Sequence, residues 1–272
     1  MKKHFVYEGS AIHYNTYGSG QNILVLLHGF GEDSRIFDQQ VSFLKDEYTL
    51  IIPDLPGSGK SALMLTKSEI TMYDYAGCIK SLLDHEGIAI CILLGHSMGG
   101  YITLAFAEKY PGMLLAFGLI HSGATADTNE KKKSRLQGIE MIKRHGALSF
   151  LKNTTPNLFA DSFKKTNASV VEQLILQNIS FTSEALIQYY TSMMNRKDTT
   201  SVLANAAVPV LFVLGKEDTA APLEIVIKQV QLPFNTHIHI LDNVAHMSML
   251  EAPGKLNGFI HEFAQYAIDH KD

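Results

Sequence analysis

Ser97 sits in the pattern most suggestive of chemistry, Gly95-His96-Ser97-Met98-Gly99, between the apolar run 88–94 and a helical pattern over 98–109. A serine at so tight a strand-to-helix turn is held in strained backbone geometry, and glycines two places to either side remove the Cβ atoms that would block it. The hydroxyl then projects above the strand end, where the free amides and dipole of the new helix favour negative charge. A hydroxyl is a poor nucleophile at neutral pH unless a base takes its proton, and histidine is the side chain suited to that work. Twelve histidines compete. His4, His85, His145, His261 and His270 fall in terminal or helical surface contexts, and His237 and His239 alternate along a strand-like run. His246 follows the last such run and precedes the last helical pattern, which makes it the best base.

The base needs a carboxylate to fix its tautomer. Asp218 follows the run 208–214 through Gly215-Lys216-Glu217, at the sheet edge where open α/β sheets bind ligands. Glu217 and, more remotely, Asp127 are its rivals. An oxyanion would need donors: the backbone N–H of Met98, directly after the nucleophile, and that of Phe30 in the loop His28-Gly29-Phe30-Gly31. His28 is expected to make structural hydrogen bonds. The segment Gly57-Ser58-Gly59-Lys60-Ser61 ends like a phosphate-binding loop, but Asp54 stands where that motif requires glycine, so nucleotide binding is not expected.

Positioning these groups requires parallel strands. Residues 5–17 read as a hairpin, and 23–27, 48–52, 88–94, 115–120, 208–214 and 237–241 as short buried strands. Between them, 35–45, 70–85 and 98–109 have helical spacing, and a last helix over 249–268 carries Leu256, Phe259, Ile260, Phe263 and Ala267 on one face. The pattern predicts an α/β fold with a mostly parallel eight-stranded sheet flanked by helices. Alternation stops in 124–207, where 129–145, 169–179 and 183–195 all read as helices, with Leu136, Ile139 and Ile142 apolar in the first and Thr182 an N-cap for the last. That stretch is expected to be a helical cap inserted into a core made of 1–123 and 208–272. Phe150, Tyr189 and Met193, with Phe159, Tyr190 and Met194, are its candidate pocket wall.

The whole chain resembles the α/β-hydrolase family with a helical cap. It has the family's nucleophile–acid–histidine order as Ser97, Asp218 and His246, an oxyanion loop at His28-Gly29-Phe30, and the stretch Asp54-Leu55-Pro56-Gly57-Ser58-Gly59-Lys60-Ser61. The resemblance implies an acyl-enzyme mechanism with no metal or cofactor. Branches that open epoxides or remove halides have aspartate at the nucleophile position, where this chain has serine. The expected substrate is a small or medium uncharged ester, because no basic cluster is visible along the chain to hold an anion. Lactone hydrolysis, C–C bond cleavage beside a ketone, acyl transfer, perhydrolysis and slow turnover in a ligand receptor fit the same three residues.

Composition bounds the partners. The 272 residues carry a formal net charge of −4 and 46% hydrophobic residues, a mildly acidic chain without the basic excess that nucleic acid or an anionic membrane needs. Lys131-Lys132-Lys133 is expected to be a solvated helix start. Neither a secretory leader nor a spanning segment is expected, since residues 4–10 mix polar and apolar types and no apolar run approaches roughly 18 residues. Cys78 and Cys91 read as buried thiols in a reducing cytoplasm.

Overall fold

The apolar runs do become strands, arranged in one eight-stranded sheet of order β1-β2-β4-β3-β5-β6-β7-β8. The computed structural model describes residues 1–271. The strands are β1 (Lys2–Tyr7), β2 (Ser10–Tyr17), β3 (Ile23–Leu27), β4 (Thr49–Pro53), β5 (Cys91–His96), β6 (Leu114–Ile120), β7 (Val210–Gly215) and β8 (Thr236–Leu241). Pairing is antiparallel for β1 with β2 and β2 with β4, and parallel from β4 onward. Parallel strands force their crossover segments onto the two faces.

The period of two along each strand feeds two separate cores. Val25 and Leu27 face one cluster, with Tyr75, Ile79, Leu82, Leu83 and Ile102 from the helices α2 (Met72–His85) and α3 (Met98–Lys109). Leu24 and Leu26 face the other, with Leu44 of α1 (Asp38–Leu44) and with Leu256, Ile260 and Phe263. Each such buried side chain contributes about 1.5–3 kcal/mol.

Between the adjacent strands β6 and β7 lie five helices: α4 (Asn129–Thr154), α5 (Asp161–Thr166), α6 (Ala168–Gln177), α7 (Ser183–Met194) and α8 (Thr200–Ala204). Thr182 caps α7, its side chain accepting from the Ala185 amide. After β7 come α9 (Leu223–Val226), then α10 (Ser248–Glu251) and α11 (Pro253–Asp269).

The expected boundaries need several corrections. The strand expected over 88–94 starts at Cys91, because Glu86 and Gly87 end α2 in a turn and Gly87 has φ +69°. The helix expected over 35–45 begins as a 3-10 turn, Ser34–Phe37, initiated by Asp33 accepting from the Arg35 amide. Helix α4 runs past residue 145 to Thr154, broken at Gly146 (φ 80°, ψ 164°), and Leu136 is 54% exposed rather than part of its buried stripe. The last helix is split: proline has no amide hydrogen to continue a helix, so Pro253 opens a new one. Among the described residues no helix is long and apolar enough to cross a membrane.

Candidate active site

Ser97 has φ 51° and ψ −114°, a conformation an L-residue adopts only when its surroundings impose it. The imposition is steric and hydrogen-bonded. A Cβ on Gly95 would lie 2.2 Å from the Gly99 carbonyl oxygen, and one on Gly99 would lie 2.3 Å from that of Leu27, so neither position admits another residue. The Ser97 amide donates to the Ile120 carbonyl at 2.9 Å, and the Ser122 hydroxyl donates to the Ser97 carbonyl at 2.7 Å. Strand β6 thus anchors the turn that ends β5. The loop after β3 comes close on the other side, since a Cβ on Gly29 would stand 3.1 Å from the Ser97 Cβ.

At the carboxyl ends of β7 and β8, His246 Nδ1 donates to Asp218 Oδ2 at 2.8 Å, with both side chains buried. Of the three carboxylates weighed from sequence, Asp218 is therefore the partner of His246. Asp127 is instead clamped by Arg135 (2.6 Å) and Arg196 (2.7 Å). Asp218 Oδ1 accepts from the amides of Ala220 (2.9 Å) and Ala221 (2.8 Å). Burial pushes the Asp218 carboxyl up, but the charge of His246 and the hydrogen bonds from His121 and His246 reverse that and hold it well below the usual range.

The His246 backbone is held from several directions. Its amide donates to the Leu158 carbonyl at 2.9 Å, and its carbonyl faces His96 Nε2 at 2.9 Å. Glu251 accepts from the amides of Ala245 (3.1 Å) and Met247 (3.0 Å) with one oxygen and from that of Ala160 (2.8 Å) with the other. The loop carrying His246 is thereby tied to the helical stretch between β6 and β7.

Two further groups at this edge were not singled out from the sequence. His96 Nδ1 lies 2.9 Å from Glu32, which also accepts from the Gly29 amide at 2.7 Å. Both ring nitrogens of His96 face acceptors, so the ring carries two protons and forms a buried ion pair with Glu32. Burial opposes charge on each, yet the pairing raises the His96 pKa and lowers that of Glu32. His121, directly after β6 with φ 51°, sends Nδ1 to within 3.1 Å of Asp218 Oδ2. The edge rule that selected His246 would have found His121, which also follows a strand. His121, Asp218 and His246 offer ligand atoms within 4.8 Å of one another, a spacing that would suit a metal ion. Their mutual hydrogen bonds already account for that closeness.

The remaining residues expected near the site divide. His28 is a buried hydrogen-bonder: its Nε2 accepts from the Leu55 amide at 2.9 Å and lies 2.7 Å from the Ser58 hydroxyl. Phe150 and Tyr189 are buried and pack edge-on to Phe30, with ring centroids 6.2 and 6.3 Å away. Tyr190 stacks on Phe30 at 4.3 Å. Met193 is buried, and its carbonyl accepts from Arg196 at 2.8 Å. Lys131 is not simply solvated, because its ammonium donates to the Ala220 carbonyl at 2.8 Å, beside Asp218.

A basic cluster does form, from positions too scattered to be seen along the chain. Arg196 lies 3.8 Å over the ring of Tyr101, one helical turn beyond Ser97, and Arg135 lies 5.4 Å over the ring of Tyr190. Burial alone would raise the Tyr101 pKa, but Arg196, Lys131 and Arg135 together lower it. Three cations against the carboxylates of Asp127 and Asp198 leave this region with an excess of positive charge.

A relative from Burkholderia vietnamiensis, named 2-hydroxy-6-oxononadienedioate/2-hydroxy-6-oxononatrienedioate hydrolase, is 28% identical over 267 residues, covering 93% of this chain and 90% of its own. The structure of a thermophilic esterase from Thermogutta terrifontis superposes with a TM-score of 0.90 at 26% identity, covering 98% of this chain and 99% of that one. An enol-lactonase from Burkholderia xenovorans shares the fold, with a TM-score of 0.89 at 20% identity and coverage of 97% and 100%. Residues 18–253 match the family described as Serine aminopeptidase, S33. With that match over most of its length, the chain belongs to this family of α/β-hydrolase-fold serine hydrolases.

Proposed function

We propose that the protein cleaves a small or medium carboxylic ester, or a related acyl bond, through an acyl-enzyme formed on Ser97. The observation that carries this reading is the 2.8 Å hydrogen bond from His246 Nδ1 to Asp218, at the same sheet edge as a serine in a strained elbow. Asp218 keeps a proton on Nδ1, which leaves the Nε2 lone pair free to take the Ser97 proton as Oγ attacks the acyl carbonyl. The amides of Phe30 and Met98 donate to the oxyanion. His246 then protonates the leaving group, and water deprotonated by the same ring releases the acid. Residues 124–207 serve as a cap whose Phe150, Tyr189 and Met193 shape the acyl pocket around Phe30. The partner is a small molecule, and the buried unpaired thiols of Cys78 and Cys91 support a reducing cytoplasm.

The test is turnover of p-nitrophenyl butyrate together with labelling by a fluorophosphonate. Wild type should turn over steadily and take up label, Ser97→Ala should lose the label, and His246→Ala should lower kcat by about ten-thousandfold. A burst of one equivalent followed by stalling would mark a slow-turnover receptor instead. Absence of both label and turnover would remove Ser97 as nucleophile.

One observation favours a second reading, in which the substrate bears a carboxylate. The positive region of Lys131, Arg135 and Arg196 borders Tyr101 and the Asp218 loop, and the relative from Burkholderia vietnamiensis is named for a dioate. Under this reading mono-p-nitrophenyl glutarate is hydrolysed with a higher kcat/KM than p-nitrophenyl butyrate, whereas a neutral acyl pocket reverses the order.

A further inference from the structure

Asp218 serves two histidines, and the second has no part in the mechanism above. Its Oδ1 is filled by two backbone amides, and its Oδ2 faces Nδ1 of both His246 (2.8 Å) and His121 (3.1 Å). A carboxylate offers about four acceptor positions, and here all four are taken. His121 is wholly buried at its side chain, and its amide donates to the Val213 carbonyl at 2.8 Å, so the ring is fixed relative to β7.

The proton positions on His121 follow from its neighbours. A ring nitrogen facing a carboxylate must carry a hydrogen, so Nδ1 is protonated. Nε2 is buried without a hydrogen-bond partner. A second proton there would create a cation with nothing to receive it, and burial pushes the His121 pKa down to about 4. The ring is therefore a neutral donor at any pH where the enzyme works.

We infer that His121 is a positioning residue for the acid–base pair: a permanently neutral donor that locks the Asp218 carboxylate and, by reducing its basicity, sets where the acid limb of the activity profile falls. The inference rests on the hydrolase reading. Without the second donor, Asp218 would hold the protonated His246 more tightly, and activity would appear only at higher pH. The other groups facing the pair are His96, with ring centroids 4.9 Å from His246 and 6.1 Å from His121, and Glu251, which holds the backbone on either side of His246. Glu32 lies behind His96 and neutralises it. Neither carboxylate accepts from His121, so Asp218 is the group through which His121 acts.

The experiment compares wild type, His121→Leu and His121→Asn. Leucine removes the donor, whereas asparagine keeps an N–H near the Nδ1 position and tolerates positive φ. For p-nitrophenyl butyrate, the acid limb of kcat/KM should move up by on the order of one pH unit in the leucine variant, and asparagine should bring it back toward wild type. A lower melting temperature with an unmoved limb would mean a merely structural role and overturn the inference. The nitrogen NMR spectrum of histidine-labelled wild type, assigned against the asparagine variant, gives a reading that does not depend on the leucine variant folding. It should show His121 protonated at Nδ1 and not titrating between pH 5 and 9. A ring that titrates there, or carries its proton on Nε2, overturns the proposal. If Ser97 is labelled and turnover is normal while the limb is unchanged, the inference alone fails; loss of labelling and turnover in wild type instead removes the hydrolase reading.

Discussion

Two groups of buried charge differ in what they can do. At the carboxyl ends of β3 and of β5 to β8, Glu32, His96, His121, Asp218 and His246 form pairs in which imidazoles face carboxylates. Where the helical insertion meets α3, Asp127 is held between Arg135 and Arg196, with Tyr101 under one guanidinium. Imidazoles gain and lose protons near neutrality, whereas guanidinium groups stay charged at every pH of interest. In the first group His121 is held as a neutral donor and His96 as a paired cation, which leaves the His246 ring as the one proposed to exchange protons, and the second group can only hold charge in place. The imidazoles stand at the sheet edge that carries the strained serine, and the guanidinium groups stand where the helical insertion meets α3.

That contrast can be broken by experiment. The largest expected effect is on stability in the arginine group. Asp127→Ala leaves two guanidinium groups buried without their carboxylate and should cost about 3–5 kcal/mol in urea unfolding. An unfolding midpoint equal to wild type would mean that solvent, not Asp127, satisfies these arginines. A smaller effect is expected from pH on the His96–Glu32 pair. The His96 pKa is raised on folding, so its contribution is full below the unfolded value near 6.5 and is lost as pH rises through the folded one. Glu32 is lowered on folding, so its contribution is present at neutrality and is lost in acid. Wild type should then lose stability as pH rises from 6 into the alkaline range, and Glu32→Gln should lose less over the same interval, measured by thermal unfolding. Equal slopes would show that His96 is uncharged in the folded protein. The smallest effect serves as a control: the exposed pair Lys143–Glu140 at 3.0 Å belongs to neither group, and Lys143→Ala should change stability by less than about 0.5 kcal/mol.

What could be read from sequence followed the range over which each signal acts. The elbow at Ser97 is a local device, since the glycines that make room for it lie within two residues. Asp218 and His246 were singled out because each follows a strand, and strand ends share an edge whatever their distance along the chain, although β8, expected to be buried, is a half-exposed edge strand. The pairings inside the site had no such marker. His96 meets Glu32 across 64 positions, His121 meets Asp218 across 97, and Arg196 meets Asp127 across 69. No periodicity links such residues, and only the sheet order brings them together. The scattered cations were missed for the same reason, which removed the ground for expecting an uncharged substrate. By contrast, the break at Pro253 was visible as a proline, but the apolar stripe continues past it and outweighed the proline.

The tie between Glu251 and the insertion has a mechanical consequence. One carboxylate grips the amides flanking the base and the amide of Ala160, while Leu158 receives the amide of the base itself. Displacing residues 158–160 would therefore release the carboxylate that holds the backbone on either side of His246, the proposed base. The segment and the histidine loop thus share one fastening, so that loosening either loosens the other.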